Sequence, residues 1–154
     1  MGAMVAILEV AKIQLAFIPN VELVSLLIIL FTLYLGKKIY FVIAAFVLIE
    51  GILYGFGTWW IMYLYAWPLL ATLTLLFQKH KNVWTYSFLS GLFGLLFGAL
   101  CSIPYFVMGG FSGGFGYWIA GIPYDLIHGV SNFIICLLLF NPLHKVLNRL
   151  KNES

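Results

Sequence analysis

Long apolar runs with very few charged residues dominate this sequence. Of its 154 residues, 64% are hydrophobic and 8% are charged, and the mean hydropathy is +1.06. A soluble domain typically carries about 25% charged residues. The composition therefore predicts an integral membrane protein. Because the apolar runs extend along the whole chain, they are not expected to form a cleavable N-terminal signal.

Six apolar segments approach the roughly 20 residues that a membrane-spanning helix needs. Their approximate limits are 1–18, 22–36, 39–56, 59–77, 84–107 and 117–147. Proline, glycine or polar residues separate them, and the glycine-rich stretch 109–116 is expected to be a loop. The predicted fold class is an all-α integral membrane protein, in which residues 1–154 form a single domain of six transmembrane helices.

The basic residues predict how these helices are oriented. Apart from Lys12, all of them fall after the second segment, after the fourth segment or in the C-terminal tail: Lys37, Lys38, Lys79, Lys81, Lys145, Arg149 and Lys151. These positions share one side of a six-helix topology, and cytoplasmic loops carry an excess of Lys and Arg. Both termini are therefore expected in the cytoplasm, with the chain crossing the plasma membrane several times.

Several function classes are disfavoured by what the sequence lacks. Cys101 and Cys136 lie in apolar runs without metal-ligand spacing, so neither a disulfide framework nor a metal site is predicted. The net charge of +3 comes without a basic patch interleaved with aromatic residues, so no nucleic-acid partner is expected. The glycine-rich stretch lacks the Lys-Ser/Thr ending of a P-loop, so this chain is expected to hold no cofactor and to use no ATP itself.

The stretch GIPYDLIHGVSNF, residues 121–133, places three polar side chains on one stripe of an apolar helix. Asp125, His128 and Asn132 are three and four residues apart. A charged side chain at the bilayer centre costs about 2.5 to 3.5 kcal/mol, so such groups usually face a cavity or each other. Helix rise and the expected orientation place Glu50 and Lys12 at a similar depth. The sequence thus predicts a pocket that opens to the outside.

Aromatic residues of the third and fourth segments extend the predicted pocket. Tyr54 is one helical turn beyond Glu50, and Tyr63 and Trp67 are one turn apart at pocket depth. Trp59 and Trp60, by contrast, fit the aromatic belt of a membrane interface.

Structural roles remain open for the polar residues. Asp125 follows Pro123 and could cap a helix start. His128 and Asn132 could hydrogen-bond across helices to hold the bundle together. A buried ion pair between Lys12 and Glu50 is another alternative, and Glu9, three residues before Lys12, could neutralise it instead.

A weak motif points to a different function. Ser112 lies in the pattern G-x-S-x-G, and Asp125 and His128 follow in the Ser, Asp, His order of the α/β-hydrolases. However, a nucleophile elbow needs a strand-turn-helix context, which is not expected here. Asp and His three residues apart on one helix are also poorly placed for the hydrogen bond that orients the imidazole. An intramembrane serine hydrolase is therefore the alternative function.

Four apolar runs follow one another in the order FIPNVELVSLLIIL, LIEGILYGFGTWWIMYLYAWPLL, GLFGLLFGALCSIPYF and YWIAGIPYDLIHGVSNFIICLLLFNPL. In this order they resemble the S components of energy-coupling factor (ECF) transporters. The resemblance covers nearly the whole chain. It implies an S-component-like bundle, not an enzyme, in a prokaryotic plasma membrane that captures a vitamin or related micronutrient from outside with high affinity. The partners implied are a transmembrane coupling subunit and two ATPase subunits, which use the ATP.

The resemblance also implies where ligand and partner bind. The substrate residues implied are Asn20, Glu22, Tyr63, Trp67, Tyr117, Asp125, His128 and Asn132. Glu50 and Tyr54 are predicted as substrate residues only from their expected depth in the membrane. Gly2 and Ala6 are the nearest match to the family's Ala-x-x-x-Ala docking motif, because small residues let two helices approach closely. Aromatic faces beside Asp, His and Asn favour a small aromatic heterocycle as substrate, such as a pyridoxine-like or thiamine-precursor-like compound.

Overall fold

The computed structural model describes residues 1–15, 17–80 and 82–152, with side chains through 150. Its α-helices are α1 (Gly2–Leu15), α2 (Val24–Leu35), α3 (Ile39–Tyr54), α4 (Thr58–Leu76), α5 (Val83–Leu95), α6 (Phe97–Cys101) and α7 (Ile103–Asn152), and a short 3₁₀ turn, Gly36–Lys38, joins α2 to α3. The described ranges contain no strand, which confirms the all-helical class. Lys81 and the side chain of Lys151, both used to predict orientation, lie outside the described residues.

Within the described residues, three helical stretches are long and apolar enough to cross a membrane. They are Val24–Tyr54, which covers α2 and α3 together, Thr58–Leu76 and Ile103–Leu150. α5 is apolar but has only 13 residues. Large apolar side chains point away from the bundle, with Val107 83% exposed and Phe41 72% exposed. Such surfaces suit a hydrocarbon environment, so the fold is compatible with a membrane protein.

The glycine-rich stretch 109–116 is not the loop that the sequence predicts. Its residues are helical except for Gly110, where φ is 63° and ψ is −165°. The rings of Tyr105 and Tyr117 stack with centroids 4.1 Å apart, whereas twelve residues of continuous helix would separate them by about 18 Å. The chain therefore reverses at Gly110, between a short first arm of α7 (103–109) and a long second arm (111–152). Glycine tolerates this positive φ, so the reversal needs no extended loop.

The remaining predicted boundaries agree with the structure to within a few residues, with one further correction. The fifth predicted segment, 84–107, is interrupted twice, because α5 ends at Leu95 and α6 ends at Cys101. At the first break Leu96 leaves helical geometry with φ −97° and ψ 0°. At the second break Ser102 donates from Oγ to the carbonyl of Ala99 over 2.7 Å, which satisfies a backbone acceptor in place of a helical bond.

α2 lies at the centre of the bundle, and α5 packs closely on the second arm of α7. Residues 24–32 are all buried, because α2 contacts α1, α3, α4, α5 and α7. On α5, a Cβ added to Gly94 would lie 2.8 Å from the carbonyl oxygen of His128. On α7, a Cβ at Gly129 would lie 3.0 Å from the carbonyl oxygen of Gly91. These glycines bring the two backbones into contact and fix the position of His128 along the bundle axis.

Gly94→Ala should therefore destabilise the bundle by about 1 to 3 kcal/mol, because the added methyl group forces α5 away from α7. The free energy of unfolding can be measured by SDS titration in mixed micelles. Gly116→Ala is the matched control, since a Cβ there meets no atom within 4 Å, and it should be neutral or slightly stabilising. Equal effects of the two substitutions would contradict close packing at Gly94.

Candidate ligand-binding site

A cavity of about 230 Å³ lies between the connection from α1 to α2 and the helices around it. Five residues that the sequence predicts as substrate ligands line it: Asn20, Glu22, Tyr63, Trp67 and His128. The other lining residues are Lys12, Leu15, Ile18, Pro19, Val21, Val24, Phe46 and Phe97. The cavity thus combines aromatic and aliphatic walls with a small number of polar groups, as ligand pockets commonly do.

Glu22 and His128 form the polar end of the cavity. His128 Nε2 lies 3.3 Å from Glu22 Oε1, and the two side chains are 6% and 18% exposed. The other carboxylate oxygen accepts a 2.8 Å hydrogen bond from the backbone N–H of Ser25 in the first turn of α2, where a negative charge is favourable. His128 Nδ1 is buried and has no hydrogen-bond partner among the described residues. One nitrogen of this imidazole therefore has unused hydrogen-bonding capacity.

The turn before Glu22 is shaped by Asn20. Its φ of 60° is the one positive value at a non-glycine residue in the described ranges, and asparagine adopts this conformation more readily than most residues. Its carbonyl oxygen accepts a 2.8 Å hydrogen bond from Ser131 Oγ on α7. Pro19 and Asn20 thus turn the chain at the mouth of the cavity and anchor it to the helix that carries His128.

Lys12 and Glu50 form a buried ion pair that joins α1 to α3. The Glu50 side chain is fully buried, whereas that of Lys12 is 30% exposed and reaches the cavity. The Lys12 Nζ lies 4.9 Å, 5.4 Å and 5.3 Å from the ring centroids of Tyr54, Trp59 and Tyr63, distances at which a cation is attracted to an aromatic face. Glu50 is the ion-pair partner of Lys12, and Glu9, the other partner left open by the sequence, also interacts with Lys12 electrostatically. Glu50 and Tyr54 therefore hold Lys12 and do not themselves line the cavity.

A continuous row of aromatic rings connects α4 to His128. Tyr63 packs edge-on against Trp67 at 5.3 Å, and Trp67 lies 5.8 Å from Phe97. Phe97 in turn packs edge-on against the imidazole of His128 at 5.1 Å. The Trp67 indole nitrogen is buried without a hydrogen-bond partner in the described residues. The row thus places flat aromatic faces beside the polar end of the cavity.

Asp125 and Asn132 serve the helix framework around the cavity. Asp125 Oδ1 accepts a 2.9 Å hydrogen bond from the backbone N–H of Gly98 in the first turn of α6. Asp125 therefore caps a helix start, which was one of the structural roles left open by the sequence. The helix that it caps is α6, whereas Asp125 itself lies on α7. Asn132 donates from Nδ2 to Ser25 Oγ over 3.2 Å and is 1% exposed. It links α7 to α2 one helical turn beyond His128, deeper in the bundle.

Three other predicted residues lie away from the cavity. Tyr117 is 37% exposed and stacks on Tyr105 beside the reversal at Gly110. The family resemblance implies Tyr117 as a substrate residue, but it does not line this cavity. Gly2 and Ala6 are both exposed on α1, and a Cβ at Gly2 meets no atom within 4 Å.

Two aromatic lining residues, Phe46 and Phe97, were missed by sequence reasoning. Both belong to apolar runs in which any phenylalanine has the same spacing and character as a core residue. Phe97 reaches the cavity because the helix breaks between α5 and α6. Phe46 reaches it because α3 packs against α1. The sequence carries no local signal for either of these.

The residues of the alternative hydrolase function are not brought together. Ser112 and His128 both lie on the second arm of α7, sixteen residues apart, which is about 24 Å of helix. Asp125 is hydrogen-bonded to α6, and the His128 Nε2 faces Glu22. A serine triad needs its three side chains within hydrogen-bond distance of one another. These three residues do not meet that requirement.

Comparison with protein-family models, with characterised proteins and with solved structures finds no match to this chain. The geometry of the cavity is therefore the basis for its functional interpretation.

Removing one partner of the buried ion pair should be strongly destabilising. Lys12→Met leaves the Glu50 carboxylate buried without its counter-ion, so we expect a loss of about 3 kcal/mol in the free energy of unfolding. The double substitution Lys12→Met with Glu50→Gln removes both charges of the pair and should recover the part of that loss that the unpaired Glu50 carboxylate causes. SDS titration in mixed micelles measures all three proteins.

Lys38→Met removes an exposed lysine and is the control for charge loss alone. Its effect should be within about 0.5 kcal/mol. If Lys12→Met behaves like Lys38→Met, the pair does not hold α1 to α3.

Proposed function

We propose that this chain is the substrate-capture subunit of an ECF-type importer and binds a small micronutrient in the cavity between Glu22, His128 and the aromatic row. The observation that carries the proposal is this cavity itself. An apolar bundle has no structural need for an open space at the junction of a carboxylate, an imidazole and a row of aromatic rings. Such convergence of a few polar groups on an apolar pocket is typical of small-molecule sites.

The proposal includes six membrane spans with cytoplasmic termini. α1, α2, α3 and α4 each provide one span, residues 83–109 provide the fifth, and the second arm of α7 provides the sixth. The cavity residues lie at the end of α1, the start of α2, the middle of α3 and the first half of α4. The described basic connections lie at the opposite ends of these helices, at Lys37, Lys38 and Lys79. The positive-inside rule then opens the cavity to the outside.

The lining favours a small aromatic heterocycle as substrate. Trp67 and Tyr63 offer ring faces, while Glu22 and His128 can bond a ring nitrogen or a hydroxyl group. A volume of about 230 Å³ lies below the roughly 300 to 1,000 Å³ of drug-sized pockets, so the ligand should be small. A pyridoxine-like or thiamine-precursor-like vitamin meets these requirements.

Delivery of the substrate needs partners, because the sequence has no phosphate-binding loop. The proposed partners are a transmembrane coupling subunit and two ATPase subunits that use the ATP. Gly2 and Ala6 give the start of α1 a face without bulky side chains, on which a partner helix could pack closely in the bilayer. This surface is distant from the cavity, since α1 runs from the cytoplasmic side towards it.

His128→Ala should weaken binding of the native ligand by about ten- to a hundredfold, because a buried polar contact is lost. Native mass spectrometry of gently purified protein should first show a co-purified small molecule, and calorimetry with that molecule should then give its affinity. Ser112→Ala, far along α7, is the matched control and should bind normally. Unchanged binding by His128→Ala would remove this residue from the site.

Ala6→Trp tests the docking part of the proposal separately. The large ring should prevent close approach of the coupling subunit, so co-purification with that subunit and ATP-dependent uptake should both fall. Ligand binding by the isolated chain should persist, because the cavity is at the other end of α1. Complex formation at the wild-type level would place docking on another surface.

A further inference from the structure

A second cavity, of about 330 Å³, lies at the opposite end of the bundle from the candidate ligand site. It is formed where the end of α2, the connection from α4 to α5, the start of α5 and the last part of α7 meet. Its polar lining residues are Gln78, His80, His144 and Asn148. Nothing in the proposed capture of a micronutrient uses these side chains.

The wall of this second cavity is held in place by Tyr86. The Tyr86 hydroxyl donates to the carbonyl of His80 over 2.7 Å and lies 3.2 Å from that of Phe77, which ties the connection after α4 to α5. The Tyr86 ring stacks on Phe140 at 4.8 Å, and Phe140 stacks on His144 at 5.3 Å. The connection and the end of α7 are therefore fixed on either side of the space that Gln78 and Asn148 line.

Basic residues flank the polar lining residues of the second cavity in the sequence. Lys79 lies between Gln78 and His80 in the chain, and Lys145 and Arg149 directly follow His144 and Asn148. None of the carboxylates in the described side chains belongs to the segments that form this cavity. The nearest along α7, Asp125, is fifteen residues before Phe140, or about 22 Å of helix. The lining thus offers hydrogen-bond donors in a region where an anion is favoured and no described carboxylate competes.

We propose that the second cavity binds a phosphate group. Amide N–H groups of Gln78 and Asn148 and the imidazole of His80 donate to its oxygens, and the flanking lysines and arginine supply the favourable field. At the expected cytoplasmic surface, basic pockets between helices bind anionic lipid headgroups. A phosphorylated solute or free phosphate presents the same oxygens. The proposal rests on this cavity alone and does not depend on the importer function.

The test compares two double variants of the full chain in mild detergent. Gln78→Ala with Asn148→Ala removes two donors from the cavity. Gln14→Ala with Asn141→Ala is the matched control, because it removes one exposed glutamine and one exposed asparagine outside the lining. Binding is measured with two probes: retention of phosphatidylglycerol against phosphatidylcholine by native mass spectrometry, and thermal stabilisation by inorganic phosphate against chloride at equal ionic strength.

The wild type and the control should bind at least one phosphate probe selectively, and the cavity variant should bind it about tenfold more weakly or worse. Selective retention of phosphatidylglycerol alone identifies a lipid headgroup site, whereas stabilisation by inorganic phosphate identifies a site for a soluble phosphate. The proposal is overturned if neither probe is preferred over its neutral or chloride counterpart. It is also overturned if both double variants bind as the wild type does or lose binding equally.

Discussion

The need to pair every buried charge organises this bundle. Glu50 is fully buried in an apolar environment, and its ion pair with Lys12 ties α1 to α3. Glu22 is held by the start of α2 and by His128, which ties α2 to α7. An unpaired charge at these depths would cost several kcal/mol. Because both pairs lie beside one cavity, the contacts that hold the helices together also set the position of the candidate ligand groups.

Close packing of α5 on α7 sets the position of the candidate ligand groups along the bundle axis. Gly91 and Gly129 bring the two backbones together, so that α6, the short continuation of α5, starts beside Asp125. The same arrangement brings Phe97 of α6 against His128. The break between α5 and α6 frees backbone N–H groups, and the Asp125 side chain of the neighbouring helix accepts a hydrogen bond from one of them. The same break places Phe97 against His128.

Sequence reasoning could predict the helical class and most helix limits, because apolar length and Gly or Pro punctuation act locally. It also placed Lys12 and Glu50 at one depth, since helix rise is fixed. It could not predict the reversal at Gly110, because a tight turn and a loop share the same glycine-rich composition. Tyr117, which the family resemblance implies as a substrate residue, follows this reversal and lies outside the cavity lining. The Asp125 contact with Gly98 depends on tertiary packing that no spacing encodes.

The proposed capture function requires that the cavity beside Glu22 and His128 opens to the outside of the cell. Labelling of single cysteines in intact bacterial cells with a membrane-impermeant maleimide tests it most directly, because both native cysteines, Cys101 and Cys136, are buried. Cysteine in place of Ile18, which lines the cavity, should be labelled in intact cells, whereas cysteine in place of Lys79 should be labelled only after permeabilisation. The reverse pattern would place the cavity on the cytoplasmic side and contradict a capture site for external substrate.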